Sequence, residues 1–224
     1  EAVNAPPQQA FAGYAPSLPT YTVTLDDNTL TLTNSSVSSA SGGAFAYNGS
    51  AEGNTVTMSN STVGSSEVSA SVFGALLGKG TVTDNTVNMR KGSTVSETIS
   101  GGSVITGTSS GNTVNVDDGS AKAIYGGSTG PVVTGMGIEA IGYYFITDET
   151  TTGDATGNTV NFKSGTAEAA AGGYTSDLTY TNASGDSVTL TSGNASGNTL
   201  NLSGGTISGN AYGGYSESGD AAGN

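Results

Sequence analysis

Carboxylates supply almost all the reactive chemistry available to this chain. Asp and Glu total 18 against 5 Lys and Arg, and the 224 residues include no His and no Cys. Without imidazole or thiolate, the commonest nucleophilic triads, zinc centres and redox pairs are excluded. Two carboxylates can still act as acid and base on a glycosidic bond, and clustered carboxylates can bind calcium. Asp117-Asp118 falls at a turn signal, Asp148-Glu149 with Asp154 forms a looser group, and Arg90-Lys91 also sits at a turn. Neither the Gly-Gly-x-Gly-x-Asp nonapeptide of calcium-binding β-rolls nor an EF-hand loop is present. Acids scattered over an acidic protein read as a solvated face. The sequence therefore assigns no catalytic residue, no metal ligand and no cofactor. An enzyme acting on glycans is the alternative reading, its carboxylates drawn from separate turns of the fold.

The elements that would carry such residues show themselves by repetition. A phrase Asn-Thr-(Val/Leu)-(Thr/Asn)-apolar opens at Asn28, Asn54, Asn85, Asn112, Asn158 and Asn198, at spacings of 26, 31, 27, 46 and 40 residues. A period of tens of residues marks a stacked, quasi-one-dimensional architecture. In each copy alternate residues point to opposite faces. Leu30/Leu32, Val56/Met58, Val87/Met89, Val114/Val116, Val160/Phe162 and Leu200/Leu202 then face inward. Thr113 with Asn115, Thr159 with Asn161, and Thr199 with Asn201 face outward, forming a polar ladder suited to pairing with a second rod. A slip of one residue would reverse every assignment, so register is strongly specified.

Turn signals follow these strands, and a second strand runs to a glycine pair at 42–43, 101–102, 126–127, 172–173 and 213–214; the copy at Asn54 has Gly74 alone. Glycine suits a shared corner because it accepts positive φ and lets stacked backbones approach closely. The opening asparagines, each preceded by Gly or Asp, are expected at an αL turn. They are assigned a structural role, as an internal amide ladder satisfying buried polar groups. The whole reads as an all-β parallel β-helix from Tyr21 to Asn224. Residues 1–20 hold Pro6, Pro7, Pro16 and Pro19, and are expected to form an extended, irregular segment or cap outside the sheet. Gly219 to Asn224 has the look of another repeat opening, as in a piece of a longer solenoid.

Two insertions interrupt the period. The first contains Ile138, Ile141, Tyr143, Tyr144 and Phe145, the most apolar and aromatic stretch of the chain. Exposed, these residues are candidate partner-binding anchors; turned inward, they are one more core strand. The second, Leu178 to Tyr180 and Val188 to Leu190 around a Gly-containing connection, reads as a β-hairpin able to project as an arm.

A formal net charge of -13 opposes binding to nucleic acid or anionic lipid. No apolar run is long enough to span a bilayer as a helix. The opening Glu1-Ala2-Val3 lacks the basic and apolar regions of a signal peptide, as in a mature or trimmed product.

Ser-Gly-Asn-Thr-Leu-Asn-Leu at 196–202 and the Gly-Gly-Thr-Ile-Ser-Gly-Asn-Ala-Tyr-Gly-Gly-Tyr run at 204–215 resemble the passenger repeats of Gram-negative autotransporter adhesins. That resemblance extends from about Tyr21 to Asn224. It implies a right-handed parallel β-helix with hairpin and loop insertions, exported across the outer membrane to the cell surface. It also implies attachment to a protein or glycan on host or bacterial cells, or self-association in aggregation and biofilm. A passive stalk presenting a distal tip is a further alternative. The paired-aspartate, Gly-His-Gly and Arg-x-Lys motifs of pectin-hydrolysing β-helices are not complete. Among the six repeat phrases, Thr-x-Thr pairs of the ice-binding kind open only the copies at Thr29/Thr31 and Thr55/Thr57, the other four being Thr-x-Asn.

Overall fold

The computed structural model describes residues 10–15, 22–38, 41–131, 149–182 and 184–224. Across these residues the chain is strand and turn, and the strands stack in parallel, coil on coil, as a β-solenoid. One sheet consists of the repeat phrase itself: Thr29–Thr33, Thr55–Ser59, Thr86–Arg90, Thr113–Val116, Thr159–Phe162 and Thr199–Leu202. Its register is the one expected, with Val87, Val114, Val160 and Leu200 in one column. The remaining strands form a longer, bent sheet that wraps the other sides, dominated by Ser41–Glu52, Val72–Thr83, Thr98–Ser110, Gly119–Thr129 and Thr166–Thr175.

Inward residues fill the interior on two sides of an internal seam. Val56, Met58, Val87, Met89, Val114, Val116, Val160 and Phe162 pack with Val63, Val72, Ile99 and Ile124 in the larger cluster. Ala44, Ala46, Ala75, Leu77, Val82 and Val104 form the smaller one. Leu200 and Leu202 keep the inward phase, but on the last coil Leu202 is 53% exposed.

The seam is the asparagine ladder. Asn112 donates both its backbone N–H and its Nδ2–H to Asn158 Oδ1, each at 3.0 Å. Its second Nδ2–H goes to the carbonyl of Val82 at 3.0 Å, and its Oδ1 accepts the equivalent pair from Asn85 at 2.9 Å. The same pattern links Asn28, Asn54, Asn85, Asn112, Asn158 and Asn198, and continues to Asn224. Asn54, Asn85, Asn112 and Asn158 are wholly buried, yet their amides have partners for every hydrogen. This removes the penalty of orphaned buried polar groups. The αL residue of each corner is the one before the asparagine: Asp27, Gly53, Asp84, Gly111, Gly157, Gly197 and Gly223 all have φ between 55° and 68°.

Of the two reasons expected for the glycine pairs, close approach of stacked backbones holds and positive φ does not. None of them has positive φ. They are glycine because there is no room for a Cβ. In one column, Gly43, Gly74, Gly101, Gly126 and Gly172 each set the α-carbon against the carbonyl of the next glycine, and the last, Gly213, lies against Asn224. The adjoining column presses on the asparagine amides, as Gly102 does on Asn112 and Gly127 on Asn158. Register also places Gly43 and Ala44, rather than Gly42 and Gly43, at this corner. Positive φ belongs to a separate column, Gly49, Gly80, Gly107 and Gly153, which falls five residues before Asn54, Asn85, Asn112 and Asn158. That fixed offset was a readable signal.

Part of the N-terminal segment also departs from expectation. Ala10–Ala15 pairs in parallel with the strand starting at Ser41, so it belongs to the sheet. The stretch between Pro7 and Pro16 has no proline, so its N–H groups are free to enter a ladder.

Candidate binding site

The glycine corner bends the sheet so that the residues on either side of it face the same way. Ile99 and Val104 both belong to the interior. Ser100 and Ser103, between them, therefore both point outward, and Ser100 Oγ lies 3.2 Å from Ser128 Oγ, the register partner of Ser103. In a flat strand, residues three apart would face opposite sides. Here they converge, and a re-entrant outer corner runs along the rod.

What lines that corner changes from coil to coil. Phe73 and Leu76 flank it in one coil, Ser100 and Ser103 in the next, then Tyr125 and Ser128, Ala171 and Tyr174, and finally Tyr212 and Tyr215. The apolar end is covered by the second insertion. Leu178–Thr181 pairs antiparallel with Ser187–Ser196, as the expected hairpin. Leu178, Tyr180 and Leu190 are buried against Phe45, Phe73, Leu76 and Ile105. The hairpin is thus a cover packed on the rod, rather than a free arm. Its position follows from register: both insertions leave the coil at equivalent points, Thr129 opposite Thr175, and re-enter at Thr151 opposite Thr191.

The tyrosine end is open. Tyr125 stacks on Tyr174 with ring centroids 4.5 Å apart and an interplanar angle of 19°. Tyr174 stacks on Tyr215 at 5.1 Å and 14°, and Tyr212 lies 5.3 Å from Tyr215 at 37°. Tyr125, Ala171 and Tyr212 share a register column, and Ala171, 1% exposed, is covered, with the Tyr174 ring of its own coil stacked on Tyr125. A shallow notch of about 250 Å³ lies beside these rings, lined by the four tyrosines, Asn210 and the alanines at 169–171. Tyr212 is 39% exposed. None of the four phenol hydroxyls has a hydrogen-bond partner among the described residues. Burial, then the neighbouring phenols Tyr174 and Tyr215, pushes the Tyr125 phenol well above its ordinary range. Burial does the same at Tyr174, with Tyr215 and Glu217 adding to it. Both phenols stay protonated at neutral pH and can donate as well as accept. Aromatic faces with a polar rim of this kind are binding surfaces rather than catalytic ones.

The sequence reading missed these tyrosines. The signal was present, since each adjoins or closes a glycine pair in Tyr-Gly-Gly-Ser, Ala-Gly-Gly-Tyr and Tyr-Gly-Gly-Tyr. The anchors expected from the first insertion, Ile138, Ile141, Tyr143, Tyr144 and Phe145, lie outside the described residues.

The outward ladder stands as expected on another side. Thr113, Thr159 and Thr199 share one column, and Asn115, Asn161 and Asn201 another. Asn201 donates to Asn161 Oδ1, Asn161 to Asn115 and Asn115 to Asn88, each at 2.9 Å. Each of these bonds uses one of the two hydrogens on its donor amide, so a second donor per amide faces outward.

Within the described residues the acidic candidates are spread out, and Asp148 lies outside them. Asp117 is held between Arg90 at 3.5 Å and Lys163 at 2.8 Å, one on each neighbouring coil. Lys122 pairs with Glu97 at 2.6 Å, and this bond, with one from Ser69, holds the Glu97 carboxyl below its usual range. Among the described residues no three acids are grouped to hold a metal ion, and no helix is long and apolar enough to cross a membrane. Comparison with protein-family models, with curated proteins and with solved structures returns no match to this chain.

Proposed function

We propose that this chain is the binding rod of a cell-surface adhesin, of the kind its repeats resemble, which attaches to molecules on host or bacterial cells. The observation that carries this reading is the row of Tyr125, Tyr174, Tyr212 and Tyr215, set outward at a corner, their hydroxyls without a hydrogen-bond partner among the described residues. Tyrosine supplies large contact area and a polar tip at little conformational cost, which is why it is enriched at binding surfaces. The stacked coils hold these rings in fixed positions, so little ordering is left for the moment of binding. The purified chain should adhere to susceptible cells, and replacing Tyr174, Tyr212 and Tyr215 together by Ala should reduce adhesion while the fold persists. Undiminished adhesion by that variant would move the binding surface elsewhere.

A second reading is self-association through the Thr/Asn face. The spare outward amide donors of Asn115, Asn161 and Asn201 support it. Lys at Thr113, Thr159 and Thr199 together would set like charges along that face and oppose rod-to-rod contact. Sedimentation velocity and cell-aggregation assays on that triple variant test the idea. Unchanged assembly would discard it.

A further inference from the structure

The tyrosine row is a neutral aromatic surface on an acidic protein. The chain carries a formal net charge of -13, and no Lys or Arg lines the notch beside the rings. Carboxylates flank it on two sides. Glu217 follows Tyr215 by two residues and helps to push the Tyr174 phenol upward. Glu168, exposed, immediately precedes Ala169 of the lining. Lys122 lies opposite Glu168 on the neighbouring coil, but it is tied to Glu97 at 2.6 Å. The local field therefore favours a cation.

Aromatic rings attract cations through their faces, and here the faces are unequally available. Tyr174 has a ring on each side, Tyr125 at 4.5 Å and Tyr215 at 5.1 Å. Tyr212 meets only Tyr215, at a tilt of 37°, and is 39% exposed. Part of its ring is thus left uncovered beside the notch. The phenol oxygens of the row have no partner among the described residues, so they are free to accept N–H bonds. A guanidinium uses both features together. It is planar and weakly hydrated, stacks on an aromatic face and carries five N–H donors around its edge. A lysine ammonium is a compact, strongly hydrated point charge that cannot lie flat on the ring.

We infer that the notch beside Tyr212 receives an arginine side chain from an exposed basic segment of a partner protein. This rests on the adhesive reading above and names the partner's chemistry.

The test titrates the full chain with a Gly/Ser peptide carrying two arginines. The control is the same peptide with citrulline, the uncharged counterpart of equal shape, at both places. Anisotropy of a fluorescein-labelled peptide measures affinity. Tyrosine emission with the unlabelled peptide reports contact directly, because the chain has no Trp. The arginine peptide should bind and perturb that emission, and the citrulline peptide should bind about tenfold more weakly. Tyr212→Ala should lower the arginine affinity about three- to fivefold, the worth of one exposed cation–π contact, with circular dichroism unchanged. Should that variant fail to fold, Asn210→Lys sets a like charge on the exposed rim and should remove binding.

Equal binding of the arginine and citrulline peptides overturns the proposal, as does the absence of arginine binding. Arginine binding that is lost in high salt but indifferent to Tyr212→Ala and Asn210→Lys is diffuse attraction to an acidic chain, and also overturns it. Cell adhesion by the Tyr174, Tyr212 and Tyr215 triple alanine variant separates the two readings. Adhesion lost in that variant, with no arginine binding by the parent chain, leaves the adhesin standing and discards the arginine. Arginine binding that depends on Tyr212, with adhesion undiminished in the triple variant, upholds the site and sinks the adhesive reading.

Discussion

The α-carbon of Gly126 lies against the carbonyl of Gly172 on the next coil, so that a methyl group at 126 would overlap that oxygen and the backbone of Thr159. The rod can close up at its re-entrant corner only because this column is glycine in every coil from Gly43 to Gly213.

Gly126→Ala should therefore destabilise the protein by about 1–3 kcal/mol, because backbone, unlike a side chain, cannot step aside. Gly127→Ala should cost less. Its methyl would meet the Asn158 side chain, and the same column already holds Ala44 and Ala75. Urea unfolding of the two variants should rank them in that order. The reverse order would show that the amides, rather than the backbone, set the limit at this corner.

Asn112→Ala would leave the backbone N–H and an Nδ2–H of Asn85 without their acceptor, and the Val82 carbonyl without its donor. Each orphaned buried group costs about 1–3 kcal/mol. Hydrogen exchange should show the damage concentrated in the coils of Asn85 and Asn158. A spread that is uniform along the rod would mean that the coils do not couple mainly to their neighbours.

Val114→Asp should cost several kcal/mol, or unfold its coil, since it buries an unpaired carboxylate. Thr113→Asp, on the outward side of the same strand, should cost little. Thermal denaturation compares them directly, and equal losses would contradict the inward and outward phases.

Leu190, on the inner side of the hairpin cover, is 1% exposed. Leu190→Ala should lower stability by about 2–5 kcal/mol and loosen 178–190 in hydrogen exchange. Little change in both would mean that the cover is held by its backbone ladder rather than by its apolar contacts.

Alkaline titration reads the tyrosine row. The folded phenols of Tyr125 and Tyr174 ionise above the ordinary tyrosine range, while in the unfolded chain they ionise near the usual value of about 10. The unfolded state therefore loses protons first. The associated stability is complete below about pH 10 and is lost as pH rises from there toward the folded values. The tyrosinate absorbance should lag behind that of the unfolded chain. Ionisation of all tyrosines at the ordinary pH would contradict the burial of these two.

Sequence alone determined the strands, their phase and the seam. Alternation has a period of two, so the parity of Val114 and Val116 decides which face of Thr113–Val116 is buried, whatever the rest of the chain does. Asparagine at a fixed place in each repeat has one economical use, because a stacked amide consumes its own donors and acceptors coil after coil. The glycine pairs were visible, but which of their two possible reasons, torsion or close approach, applied was not. φ is not a property of composition, and only the stacked backbone shows that the space, rather than the torsion, is missing. Each tyrosine's place beside a glycine pair was legible, but which of them meet in one row was decided by tertiary structure. Tyr125, Ala171 and Tyr212 share a column because the intervening insertions add residues without adding register, and column membership depends on where each insertion leaves and re-enters the coil. The hairpin's fate was open for a similar reason. Its alternation gives two strands with one apolar side, and the partner of that side, Phe45, Phe73, Leu76 and Ile105, lies on strands distant in sequence.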